Sequence, residues 1–141
     1  VKCTQAQNTK NFIPWQYRTW RNYLNQSFTL WLRNKMKQEF NINEHIEKIK
    51  HSDIYFHTFI NKESLAAGVL VLQPGERDTQ EPHKSDELYF ILKGDGFLKI
   101  KDSDHSVSEN KMYFVGKNTE HFFHGNSKEL IVLYFFGGPD S

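Results

Sequence analysis

The stretch Pro74–Gly94, PGERDTQEPHKSDELYFILKG, decides how the rest of the chain is read. It opens on a Pro-Gly turn, ends at Gly94-Asp95-Gly96, and holds His83 and Glu87 separated by three residues. Side chains two apart in a strand point the same way. Glu81 and His83 are therefore expected on one face of a strand-like segment, and Glu87, Tyr89 and Ile91 on one face of the next. The Gly94-Asp95-Gly96 turn is expected to close a hairpin.

A His near a Glu in a polar stretch is by itself an ordinary solvated pair. What changes the reading is His121, which follows a turn and precedes Phe122-Phe123, as a third ligand on a neighbouring strand would. Imidazole nitrogens and a carboxylate oxygen converging on one centre are donors suited to a divalent metal.

Working outward, the apolar pattern has a period of two almost everywhere after residue 53. It predicts strands over Ile54–Ile60, Leu65–Gln73, Glu87–Lys93, Phe97–Lys101, Met112–Val115, His121–His124 and Leu130–Phe136. Turn clusters, among them Asp102-Ser103-Asp104, separate them. Asn41 with Glu44 reads as a helix cap and its reciprocal partner, and Ile42, Ile46 and Ile49 then recur on one face, predicting a short helix to about Lys50. Short strands without interleaved long helices point to an all-β antiparallel barrel or jelly roll.

The 141 residues carry twelve Phe, six Tyr and three Trp, a globular composition for one domain with room for an appended segment. The net charge of +1 hides an asymmetry, because residues 1–38 hold seven Lys and Arg and no Asp or Glu. The remainder is acidic, which disfavours a nucleic-acid-binding body. Cys3 is the sole cysteine, so no intrachain disulfide forms, and no apolar run is long enough for a signal-peptide core or a membrane span. A soluble, cytoplasmic protein without membrane partners is expected.

Residues 1–35 are basic, amide-rich and contain Trp15, Trp20 and Trp31. They read as an arm, helical around Thr19–Lys37, covering a barrel face or a partner subunit, with the domain proper over 36–141. An organelle-targeting leader, a platform stacking on single-stranded nucleic acid through Tyr17, Trp20 and Tyr23, and an extension upstream of a start at Met36 are the alternatives.

The motifs resemble those of the cupins. The first cupin motif runs G, five residues, H-x-H, three or four residues, E, six residues, G; here Gly75, Glu81-Pro82-His83, Glu87 and Gly94 fall along it. The second, P-x-G-x-x-H-x-F, aligns with Gly116 to Phe123. The likeness extends over roughly Asn41–Phe136. It implies a double-stranded β-helix, or jelly-roll barrel, with one divalent metal (Fe, Mn, Zn or Ni), a small-molecule substrate or ligand, and a homodimer. By resemblance His83, Glu87 and His121 fall on ligand positions.

This chain departs from the pattern where Glu81 stands for the first histidine, and where Gly116 and Asn118 replace the Pro and Gly of the second motif. If Glu81 binds, the site has two imidazoles and two carboxylates; if it turns away, the remaining set is the two-His-one-carboxylate arrangement associated with non-heme Fe(II). Gln80 is the substitute for that fourth place, and Glu81 is otherwise a base.

Tyr89 shares the Glu87 face and is the candidate pocket acid, with a core aromatic as the plainer reading. Phe90, Phe97, Tyr113, Phe114, Phe123 and Phe136 read as core. His124 is expected on the strand face opposite His121, and His45, His51, His57 and His105 as surface or otherwise satisfied histidines. The function expected is a metal-dependent enzyme of dioxygenase, isomerase or lyase type acting on a small polar metabolite. The alternatives are a non-enzymatic binding or sensor protein and a metal-free barrel.

Overall fold

The computed structural model describes residues 37–139. The chain divides into two units, residues 1–39 and 40–141. The arm expected over 1–35 lies outside the described residues.

The acidic unit begins with helix α1 (Ile42–Lys50). The Asn41 side chain accepts from the Asn43 N–H at 3.1 Å and donates to Glu44 at 3.3 Å, satisfying a backbone donor that the first turn leaves open. The helix buries His45, Ile46 and Ile49, with the two isoleucines set against Val69, Val71 and Ile131. Each isoleucine contributes about 1.5–3 kcal/mol by leaving water. His45, read as a surface or satisfied histidine, is buried and stacks on His57 and Phe59, with ring centroids 5.0 and 4.8 Å away.

Eight strands follow: β1 (Phe56–Lys62), β2 (Leu65–Leu72), β3 (Glu87–Lys93), β4 (Asp95–Ile100), β5 (Ser103–Ser108), β6 (Met112–Val115), β7 (His121–His124) and β8 (Leu130–Phe136). They form a five-stranded sheet in the order β1-β2-β8-β3-β6 and a three-stranded sheet in the order β5-β4-β7, with every pairing antiparallel. The core is built from both sheets: Leu70, Leu72, Tyr89, Ile91 and Val132 from the larger, Leu98, Val107 and Phe123 from the smaller. Among the described residues this is the all-β jelly roll with a short helix that the sequence pattern predicts.

Three expectations change. The stretch taken as a turn at 102–104 leads straight into β5, because the reversal is confined to Lys101-Asp102, with Lys101 at φ 53°. β5 is an edge strand that buries only Val107, so its composition shows no apolar alternation. Second, β3 and β4 do not form a hairpin, since β3 pairs with β6 and β8 while β4 pairs with β5 and β7. The chain changes sheets at Gly94. There φ is +99°, and a Cβ would lie 2.5 Å from the Glu129 carbonyl oxygen, so only glycine fits.

Third, the aromatic residues divide between the two faces. Phe123 and Phe136 are buried, whereas Phe97 and Phe114 are exposed, Phe114 at 61%. Alternation within β3 turns Glu87, Tyr89 and Ile91 inward, and in the partner strand β6 it is Val115, not Phe114, that is buried.

Candidate metal centre

Glu87 opens β3 facing inward, and His121 opens β7 in the opposite sheet, so closing the two sheets brings their side chains together. His83 comes from the irregular segment between β2 and β3, where the sequence suggested a strand-like stretch. Pro82 has no N–H to give a ladder, and this segment is tied down by other bonds. The Asn118 N–H donates to the His83 carbonyl at 2.7 Å, and the Gly137 N–H to the Asp86 carbonyl at 2.9 Å. Strand alternation therefore does not operate through 81–83: His83 is buried and Glu81 is exposed.

His83, Glu87 and His121 are 7%, 2% and 2% exposed, and one ligand atom from each lies within 4.8 Å of the others. The two Nε2 atoms stand 2.7 and 3.1 Å from the same Glu87 Oε2. Each imidazole is oriented from behind: His83 Nδ1 is 2.6 Å from the Ser85 carbonyl oxygen, and His121 Nδ1 is 2.7 Å from that of Thr119. A carbonyl only accepts, so both Nδ1 atoms carry the proton and donate.

In the neutral rings, both Nε2 lone pairs are then aimed at a carboxylate oxygen. Three acceptors facing one another in a buried site repel unless a cation lies among them. Supplying that cation as two extra protons would bury two imidazolium charges against one carboxylate, at a high desolvation cost. A divalent metal fits the donor set, and the paired carbonyl anchors are the outer support that metal-ligating histidines usually have.

Burial alone would raise the Glu87 carboxyl, but its close polar contacts with His121, His83 and Tyr89 more than offset it and hold it below the ordinary carboxylate value. Tyr89 is shifted the other way. Its burial and the adjacent Glu87 charge push the phenol well above its usual value, so it stays protonated. Its hydroxyl donates to Gln80 Oε1 at 2.8 Å and lies 3.0 Å from His121 Nε2.

Gln80 is fixed in turn by Asp78, a residue the sequence did not single out. Each Asp78 oxygen accepts two hydrogen bonds: Oδ1 from the Tyr55 hydroxyl and the Gln80 N–H, both at 3.2 Å, and Oδ2 from Gln80 Nε2 at 2.7 Å and the Phe123 N–H at 2.8 Å. Burial raises its carboxyl, and these donors offset part of that rise. Asp78→Asn places an NH2 against two donors, and we expect a loss of about 1–3 kcal/mol in chemical denaturation. A change below about 0.5 kcal/mol would show that the carboxylate does not hold this segment.

A cavity of about 360 Å³ opens onto His83 and Glu87, with Gln80, Glu81, Tyr55, Phe56, Tyr89, Tyr134 and Phe136 among its walls. Glu81 lines this cavity and is not part of the three-residue ligand group. His124 sits apart, 2.9 Å from Asp104, on the far side of β7 as expected. A larger groove of about 610 Å³ beside the end of α1 contains no histidine. Among the described residues, no other His, Cys, Asp and Glu side chains converge in this way.

The cupin-domain family model matches residues 68–136. An uncharacterized protein of Streptomyces coelicolor is 30% identical over 83 residues, covering 59% of this chain and 79% of the relative. Among solved structures, an RmlC-like cupin family protein with a double-stranded β-helix fold from Methanocaldococcus jannaschii superposes with TM-score 0.58 at 20% identity, covering 75% of this chain and 93% of that one. KdgF from Halomonas sp. gives 0.54 at 15%, over 61% and 80%. DMSP lyase DddQ from Ruegeria pomeroyi gives 0.55 at 20%, over 59% of this chain and 46% of the lyase, so the chain spans less than half the length of that enzyme. At such identities these structures carry the fold alone. No helix among the described residues is long and apolar enough to cross a membrane.

Proposed function

The chain belongs to the cupin superfamily, and from that premise we propose that it is a mononuclear metal enzyme acting on a small polar metabolite. His83, Glu87 and His121 would hold one divalent ion, Fe, Mn, Zn or Ni, which suits a mixed imidazole and carboxylate set. When bound, such an ion supplies Lewis-acid chemistry or, as iron, oxygen activation. The observation that carries the reading is the aim of two carbonyl-anchored imidazoles at one Glu87 oxygen.

The chain's own contribution is proton handling. Tyr89 keeps its proton under the conditions described above and lies in the cavity wall beside His121, where it serves as an acid toward bound substrate. Glu81, exposed in the same wall, acts toward substrate as a base or charge partner. An acid and a base placed at the same cavity, Tyr89 and Glu81, suit isomerase or lyase chemistry. The activity in the name of one structural neighbour, DMSP lyase DddQ, belongs to that class.

A homodimer and a cytoplasmic location belong to the same proposal. The exposed apolar side chains Leu88, Met112 and Phe114 on β3 and β6 support the dimer. An arm over 1–35 preceding a cupin domain over 36–141 also belongs to it, supported by the division of the chain between residues 39 and 40.

The test is elemental analysis of the purified full chain, followed by titration of chelator-treated protein with Zn2+, Mn2+ and Fe2+. We expect one ion per chain and no oxygen uptake by the iron form in the presence of cell-extract metabolites. Failure to bind any of the three ions, together with tight capture of a small molecule, would replace this reading with that of a binding or sensor cupin.

A further inference from the structure

The charge around the cavity points to its ligand. Three carboxylates stand on or directly behind its walls: Glu87 at the ligand group, Glu81 in the exposed wall, and Asp78, which is bonded to two wall residues, Tyr55 and Gln80. No Lys or Arg is among the lining residues. Among the described residues, none forms an ion pair with any of the three acids. The donors that hold Asp78 are all neutral. A divalent ion at the ligand group cancels two of these charges and leaves one uncompensated.

Tyr55, Phe56, Tyr89, Tyr134 and Phe136 line the cavity as well, beside Leu70, Thr79, Gln80 and Pro82. Tyr55 and Phe56 form an edge-to-face pair with centroids 5.3 Å apart, and Tyr134 and Phe136 lie 5.6 Å apart along another part of the wall. Aromatic rings and a carboxylate that line one cavity together suit a weakly hydrated cation, through the ring quadrupole and the acid's charge. Recognition of phosphate or of a second carboxylate normally uses Arg, Lys or a helix N-terminus. The Asn41 cap already occupies the start of α1, and no residue of that helix lines this cavity.

We propose that the ligand of this cavity is a small zwitterion: an oxygen-donor end directed at His83, Glu87 and His121, and an onium group of quaternary-ammonium type held between the aromatic wall and Glu81. This rests on the metal reading for the first end only; the cationic end follows from the wall itself. The absence of Lys and Arg from the lining weighs against phosphorylated and dicarboxylate substrates.

The experiment is calorimetric or NMR titration of the full chain, loaded with Zn2+, against three probes. These are glycine betaine, its uncharged-head isostere tert-butylacetate, and phosphoglycolate. Betaine is expected to bind about tenfold more tightly than the isostere, with phosphoglycolate weakest. Glu81→Gln is expected to reduce betaine affinity roughly three- to tenfold while leaving the isostere and the Zn2+ stoichiometry unchanged.

Equal or tighter binding of tert-butylacetate or phosphoglycolate, or no betaine binding in the millimolar range, overturns the proposal. Tetramethylammonium, which has no carboxylate, separates the two readings. Binding of this probe through Glu81 in a chain that takes up no Zn2+ would end the metal reading and leave the cation site standing. Normal Zn2+ uptake without cation preference would do the reverse.

Discussion

His83→Ala is expected to lower divalent-metal affinity by more than about a hundredfold, beyond the loss usually seen when only an outer support of a ligand is removed. The reason lies in the geometry of the remaining pair. Glu87 and His121 belong to opposite sheets, and Glu87 Oε2 is closer to the His83 nitrogen, at 2.7 Å, than to that of His121, at 3.1 Å. His83 also packs edge-on against Phe136, with centroids 4.5 Å apart, so its removal leaves a partly apolar gap in place of the donor.

Glu87→Gln keeps the volume but removes the charge, and is expected to fail in the same way. Competition titration against a metal-binding dye measures both effects, with far-UV circular dichroism as the control for folding. Full occupancy in the His83 variant would refute the centre. Acid should act in the same direction. The Glu87 carboxyl is held below its unfolded value, so its contribution to stability is present above the ordinary carboxylate range and is lost as pH falls through the depressed value.

The second large effect concerns packing. Phe123→Ala is expected to cost about 3–5 kcal/mol, the range for emptying a fully buried aromatic site. Phe123 is 1% exposed and meets Tyr89 edge to face at 4.9 Å, while its backbone N–H donates to Asp78. The gap would open directly behind the pocket acid. Because domain stability is only about 5–15 kcal/mol, Phe123→Leu is the companion variant, with a loss of roughly 1 kcal/mol. Phe114→Ala, at a side chain that is 61% exposed, should change stability by less than about 0.5 kcal/mol. Urea denaturation of the three variants decides the matter, and equal losses at positions 114 and 123 would contradict the packing described here.

Those two phenylalanines show where local pattern stops being informative. Both sit in short aromatic strands, and both read as core. The alternation that separates them is visible only once it is known which face of each strand meets the other sheet, and that depends on partners far along the chain. Strand β5 escaped notice for a related reason, since an edge strand with one buried residue has no apolar rhythm to detect.

The expected hairpin at Gly94 is instructive in the opposite sense. The glycine separates two strands, but its positive φ serves a crossing between sheets and a close approach to Glu129, not a hairpin, and neither is encoded nearby.

What the sequence determined by itself was what depends on short-range chemistry. The period of two specifies strands, Asn41 with Glu44 specifies the helix start, and the residue types at 83, 87 and 121 specify a set of donors. Only the tertiary structure decided which of those donors meet and how they are held. Sheet closure brings β3 and β7 together around a single oxygen, and backbone carbonyls of Ser85 and Thr119 select the imidazole tautomers. The fixed path around Pro82 turns Gln80 toward Tyr89 and leaves Glu81 exposed in the cavity wall. Each of these is a long-range constraint: its free energy comes from contacts between segments that acquire a defined distance only after the two sheets have packed.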